Sequence, residues 1–236
     1  MKAYRPLAAV SLLTAAVLLM AGCGLLPARP SQSPGILPTA SQPIETVQPS
    51  APPTATVPDA EPSPSAGVLS PKNFFPLSQD STWQYQGEGN EYATFSRKVV
   101  FAAADRAQVE EDNGGTVTAA VWKATDDEVV RTYFEGEAYD GANRLSALPN
   151  DTLIILKAPL TTGTKWDTPQ GTREIVSTDA VVDTPAGKFE DCIKVLNMSE
   201  NATVYEYFKE GVGMVKREFS SEGTTITSTL EQYSVK

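Results

Sequence analysis

The chain has 236 residues, with 29 Asp plus Glu against 19 Lys plus Arg, no histidine and a formal charge of −10. A surface of that sign repels phosphate backbones and anionic headgroups, which argues against nucleic acid as a partner and against polybasic docking on a membrane. The missing histidine removes the usual general base, the Ser-His and Cys-His nucleophile pairs and the commonest transition-metal ligand, leaving carboxylates, Lys and Tyr for any catalysis.

The chain opens with a short positive segment, Lys2 to Arg5, followed by an apolar run from Leu7 to Met20 and the small residues Ala21 and Gly22. That order is the layout of an export signal, and the run is shorter than the roughly 20 apolar residues a spanning helix needs. The signal therefore covers residues 1–22. Leu19-Met20-Ala21-Gly22-Cys23 resembles the lipobox of bacterial lipoproteins, with Met20 standing where Leu, Val or Ile is more usual. The resemblance implies that Cys23 becomes the first residue of the mature chain and carries a thioether-linked diacylglycerol and a further acyl chain such as palmitate. More than one acyl chain gives stable anchoring, so the expected partner of this end is the membrane, on the extracytoplasmic face of the cell envelope.

Residues 23–70 are rich in Pro, Ser, Thr and Ala, as in Pro49-Ser50-Ala51-Pro52-Pro53-Thr54 and Glu61-Pro62-Ser63-Pro64-Ser65. Too few large apolar groups are present to offset the entropy of ordering, and the prolines favour extended geometry. A disordered tether is expected, reaching on the order of 100 Å at ~3.1 Å per extended residue.

From residue 71 to 236 the pattern is strand-like throughout, which predicts a single all-β domain. In Ala93 to Phe101 one parity collects Phe95, Val99 and Phe101 and the other Ser96 and Lys98,. Further runs of β type are Ala107–Glu110, Thr116–Lys123, Val129–Glu135, Thr152–Lys157, Arg173–Val182, Lys188–Leu196, Thr203–Phe208, Met214–Phe219 and Thr224–Tyr233. Turn residues separate them at Asp112-Asn113-Gly114-Gly115, Pro185-Ala186-Gly187, Glu210-Gly211-Val212-Gly213 and Ser221-Glu222-Gly223,. An internal echo accompanies the runs: Pro76-Leu77, five residues and Trp83 return as Pro159-Leu160, five residues and Trp166. It suggests two similar halves, 74–150 and 157–236.

An antiparallel meander of about ten strands is expected to curl into a barrel or a half-open bent sheet. A curled sheet can enclose a cavity, and Trp83, Tyr85, Trp122, Tyr133, Trp166, Tyr205 and Tyr207 are the candidate ligand-lining residues, with Phe134 and Phe208 beside them. The competing reading makes them ordinary core, where aromatic side chains dominate. Cys192 has no partner once Cys23 is lipidated. It lies between Glu190-Asp191 and Ile193 and reads as a buried packing residue,.

No local signature of catalysis is found. The acidic groups Glu110-Glu111-Asp112, Asp126-Asp127-Glu128 and Glu190-Asp191 lack calcium-loop spacing, and no Gly-rich phosphate loop, Cys-x-x-Cys or G-x-S-x-G occurs,. No cofactor is expected. The segment Asp183-Thr184-Pro185-Ala186-Gly187-Lys188-Phe189-Glu190-Asp191-Cys192, followed by Gly211-Val212-Gly213-Met214-Val215-Lys216, resembles the C-terminal hairpins of the TapB-like family of exported bacterial β-proteins. That family implies a fold and supplies no catalytic residues. The resulting expectation is a non-catalytic envelope lipoprotein whose β domain binds a protein partner or an apolar ligand. A carboxylate-based cell-wall enzyme and a structural spacer are the competing classes.

Overall fold

A computed structural model of the chain describes residues 69–236. The export signal, Cys23 and the tether up to residue 68 lie outside the described residues. A 3₁₀ turn (Pro71–Phe74) is followed by twelve strands: β1 (Thr82–Glu88), β2 (Phe95–Ala103), β3 (Arg106–Asp112), β4 (Val117–Ala124), β5 (Glu128–Glu135) and β6 (Leu153–Lys157). The second six are β7 (Lys165–Thr168), β8 (Gly171–Thr184), β9 (Gly187–Met198), β10 (Thr203–Lys209), β11 (Gly213–Ser221) and β12 (Thr224–Ser234). All pair antiparallel in one sheet of order β6-β5-β4-β3-β2-β1-β12-β11-β10-β9-β8-β7. The sheet curls until its two edges, β6 and β7, meet with no ladder between them, giving a nearly closed barrel. The all-β expectation holds.

Ten of the strands lie where alternation and turn residues put them. The other two, β1 and β7, were not expected. β7 has only four residues, too short a stretch for alternation to register, and each of the two carries a tryptophan of the internal echo, Trp83 and Trp166. Turn chemistry explains the reversals. Pro185-Ala186 joins β8 to β9, and Gly211 and Gly213 take φ of 72° and 99° between β10 and β11, a region open to glycine at no steric cost,. In the turn from β3 to β4, the Asn113 side-chain carbonyl accepts from the amides of Gly115 and Thr116,.

One expectation is corrected. Phe101 does not share the inner face with Phe95 and Val99. A bulge between Val99 and Phe101 shifts the register so that Phe101 faces Gln108, and Gln108 is turned outward beneath the loop between β5 and β6. One inserted residue reverses the alternation for the remainder of a strand.

The barrel has a closed end. Residues 70–75 cross beneath it as a strap between two hairpin turns on opposite walls. On one side the Lys72 amide donates to the Thr125 carbonyl at 3.1 Å, and Ser70 Oγ and Lys72 Nζ both reach the Asp126 carboxylate. On the other the Gly211 amide donates to the Asn73 carbonyl at 2.8 Å, and Asn73 Nδ2 donates to Glu210. Phe74 and Phe75 point from the strap into the barrel core, and the Phe75 ring lies 5.0 Å from that of Trp122. Trp83 and Tyr85 complete this end, donating to the carbonyls of Val212 (2.6 Å) and Met214 (2.9 Å).

Candidate functional site: the barrel lumen

The end opposite the strap is open. Between mouth and strap lies a cavity of about 560 Å³, within the range typical of small-molecule sites,. The alternation of each strand decides what faces it. At the bottom stand Phe75, Trp122, Phe208 and Met214, all buried, and at the mouth stand the exposed Asn90, Tyr92 and Gln170.

Halfway up, the wall changes character. Arg97 on β2, Arg131 on β5, Arg173 on β8 and Arg217 on β11 all point inward, against Glu111 on β3 and Glu206 on β10. Ladder register sets these neighbours: Arg97 is directly opposite Glu111, Arg173 opposite Asn197, and Arg217 opposite Glu206. Arg97 donates to Glu111 at 2.8 Å, Arg131 to Asp151, and Arg173 to Glu206. Burial alone would raise the Glu111 carboxyl, but Arg97 and Arg217 hold it below the ordinary carboxylate value. Burial pushes the Tyr85 phenol beneath this belt up to about 12, so it stays neutral.

Among the described residues two buried groups in the belt lack partners, and so does the Arg217 guanidinium. Arg173 is 2% exposed, and its Nε–H finds no acceptor; across the ladder the buried Oδ1 of Asn197 finds no donor. Arg217 makes no ion pair or hydrogen bond among the described residues and lies 4.9 Å from the Phe95 ring centroid. Within an acidic chain, the lumen is a cationic interior.

Trp122, alone of the seven aromatic residues singled out from the sequence, lines this cavity. Trp83 and Tyr85 flank a separate void of about 10 Å³, barely one water in size,. Trp166 is buried at the seam between β6 and β7, where its Nε1–H donates to the Ile154 carbonyl at 3.0 Å. Tyr133 donates to Glu135, which the loop between β5 and β6 holds through Arg144. Tyr205 and Tyr207 alternate with the lumen-facing Val204, Glu206 and Phe208 and stand on the other face of β10. There Lys194 lies 4.1 Å from the Tyr205 ring and Tyr207 donates to Glu218 at 2.7 Å. Cys192 is fully buried in the core.

The arginines were not singled out from the sequence, although a signal was present. Each occupies the apolar parity of its strand: Phe95-x-Arg97-x-Val99, Val129-x-Arg131, Arg173-x-Ile175 and Arg217-x-Phe219. A charge at an inward position of a strand is costly to bury and marks either an ion pair or a site. Among the described residues no group of three or more His, Cys, Asp and Glu is placed to hold a metal ion.

No family model matches the chain, and no curated protein matches it. Among solved structures it is similar to a protein of Bacteroides fragilis described as exported and as having a YmcC-like fold, at 17% identity over 68% of this chain and 98% of that one, with a TM-score of 0.43. It is also similar to a protein of Parabacteroides distasonis described as a lipoprotein, at 14% identity over 68% and 98%, with a TM-score of 0.39. At these scores neither likeness carries an argument about this chain.

Proposed function

We propose that the chain is a lipid-anchored envelope protein of the extracytoplasmic membrane face, and that its β domain is a non-catalytic binding module for a small, largely apolar ligand held in the barrel lumen. The observation that carries this reading is the 560 Å³ cavity, plugged at one end by the strap and open at the other. A barrel whose only task was to fold would fill that volume with side chains, since interiors pack to crystal-like density. The anchor rests on the order of charge, apolar run, small pair and Cys23 in the sequence, and the TapB-like resemblance of the hairpins agrees with an exported β-protein,.

Two measurements test the reading. Cys23→Ala should abolish incorporation of labelled palmitate into the chain; undiminished labelling would refute anchoring at that residue. Native mass spectrometry of the full chain, released from bacterial membranes in mild non-ionic detergent, should show a bound mass that is lost on denaturation and proves apolar. A clean apo mass, together with no uptake of added apolar probes, would overturn the lumen as a binding site.

A further inference from the structure

We infer that the belt halfway up the lumen is an anion subsite, in which Arg217 and the Nε–H of Arg173 take the oxygens of an acidic head group while its chain lies on Phe75, Trp122, Phe208 and Met214. The inference rests on the lumen-binding reading and adds the chemical class of the ligand.

Three observations point the same way. The belt holds four arginines against three carboxylates, Glu111 and Glu206 in the lining and Asp151 beside Arg131, so one positive charge, that of Arg217, is left without a partner among the described residues. Burying charge at such a place is weak as a source of stability, because apolar residues of similar volume usually serve as well or better. Glu206 accepts from Arg173 and is also the ladder partner of Arg217, so one carboxylate faces two guanidinium groups.

The second observation is the pair of unpartnered groups. The Nε–H of Arg173, a residue 98% buried, has no acceptor, and a buried donor left unsatisfied costs the full desolvation of that group,. Asn197, directly across the ladder, turns a buried oxygen without a donor into the same region. An acidic head with oxygens for Arg173 and Arg217 and one O–H for Asn197 satisfies all three at once. A phosphate monoester does this in its singly protonated form; its dianion or a carboxylate satisfies the two arginines and leaves Asn197 to a bridging water.

The third is placement. The belt lies between an apolar floor and an open mouth, so a ligand entering tail first reaches the floor as its head arrives at the belt. An uncharged apolar ligand would leave Arg217 and the Nε–H of Arg173 dry and without an acceptor, which disfavours it.

The test uses three probes of one chain length, octanoate, octyl phosphate and 1-octanol, in equilibrium dialysis against the full chain in dodecyl maltoside, with protein-free micelles as the blank. Arg173→Gln would leave Glu206 buried without its partner and puts the fold itself at risk. Arg217→Gln removes a side chain that makes no hydrogen bond or ion pair among the described residues and leaves Glu111 and Glu206 with Arg97 and Arg173, and its melting temperature reports that the barrel is intact. The expected result is that at least one anionic probe binds tenfold or more tighter than octanol, and that Arg217→Gln erases this margin by weakening the anionic probe. Preference for octyl phosphate assigns the head to a phosphate, as in a lipid headgroup, and preference for octanoate assigns it to a fatty carboxylate. Equal binding of all three probes, or a margin that survives Arg217→Gln, overturns the anion subsite and leaves the lumen reading standing. Binding of none overturns both.

Discussion

The indole Nε1–H of Trp166 on β7 donates to the backbone carbonyl of Ile154 on β6 at 3.0 Å, across the one place where the sheet does not pair with itself. At the other junction between the first and second six strands, β1 and β12 are joined by a full ladder in which Trp83 faces Tyr233. The barrel thus has one zipped seam and one closed by side chains. Short, covered edges are a standard defence against edge-to-edge association, and Trp166 covers this one.

Trp166→Phe keeps an aromatic ring at the seam but removes the donor together with part of the buried indole. A stability loss of about 2–3 kcal/mol is expected, from one lost hydrogen bond to a carbonyl that then stands unpaired and from the packing lost with it. Hydrogen exchange should rise selectively in β6 and β7, because no ladder compensates there. Unchanged protection at Ile154 and its neighbours would mean that ring packing alone holds the seam.

The pair Arg97–Glu111 gives the barrel an acid-sensitive component. The Glu111 carboxyl is held below its ordinary value of 4.5, so its contribution is fully present above about that pH and is lost as pH falls through the lower native value,. Glu111→Gln should cost about 1–3 kcal/mol at pH 7, less than a fully buried pair because the Glu111 side chain keeps 31% exposure,. Its urea midpoint should also depend less on pH below 4.5 than that of the wild type,. Parallel pH profiles for the two proteins would contradict the assignment.

Cys192 is buried, and burial pushes its thiol up to about 11. A thiol is reactive through its thiolate and through access, and both are denied here. In a Cys23→Ala chain, where Cys192 is the one remaining thiol, Ellman's reagent should give no reaction at pH 8 in the native state and one equivalent once the fold is lost in denaturant. Rapid reaction of the native protein would place this part of β9 in a far looser core than the one described.

Gly87 near the end of β1 marks where the mouth is built. Residues 93–94 fold back across it, the Gly87 amide donates to Thr94 Oγ1, and the buried Ser228 hydroxyl donates to the Ala93 carbonyl. A Cβ added to Gly87 would lie 2.1 Å from the Ala93 carbonyl carbon and 2.2 Å from the Thr94 nitrogen, and both neighbours are backbone. Gly87→Ala should therefore cost about 1–3 kcal/mol, as overpacking does, and displace the turn that carries Tyr92 at the mouth. Urea unfolding gives the first quantity and the accessibility of Tyr92 to iodination gives the second.

Much of the strand content could be read from the chain because its causes are local. Alternation of period two, the Pro185-Ala186-Gly187 reversal and the glycines flanking Val212 act within a few residues, and each marks an element the fold contains. The lumen was harder to read. Its aromatic floor was anticipated only at Trp122 and Phe208, since the sequence does not say which aromatics face a cavity and which, like Tyr205 and Tyr207, stand on the opposite face of the same strand.

By itself the sequence determined that residues 71–236 form antiparallel β structure, where most strands lie and where they reverse. Tertiary structure decided the rest: that β1 pairs with β12 from the far end of the domain, that β6 and β7 become the free edges, that the bulge after Val99 turns Phe101 outward, and that four arginines share one level of one interior. The physical reason is that alternation and turn propensity are properties of neighbours along the chain. Register, twist and closure are instead fixed by packing between strands many residues apart, and only closure turns inward arginines into a common belt.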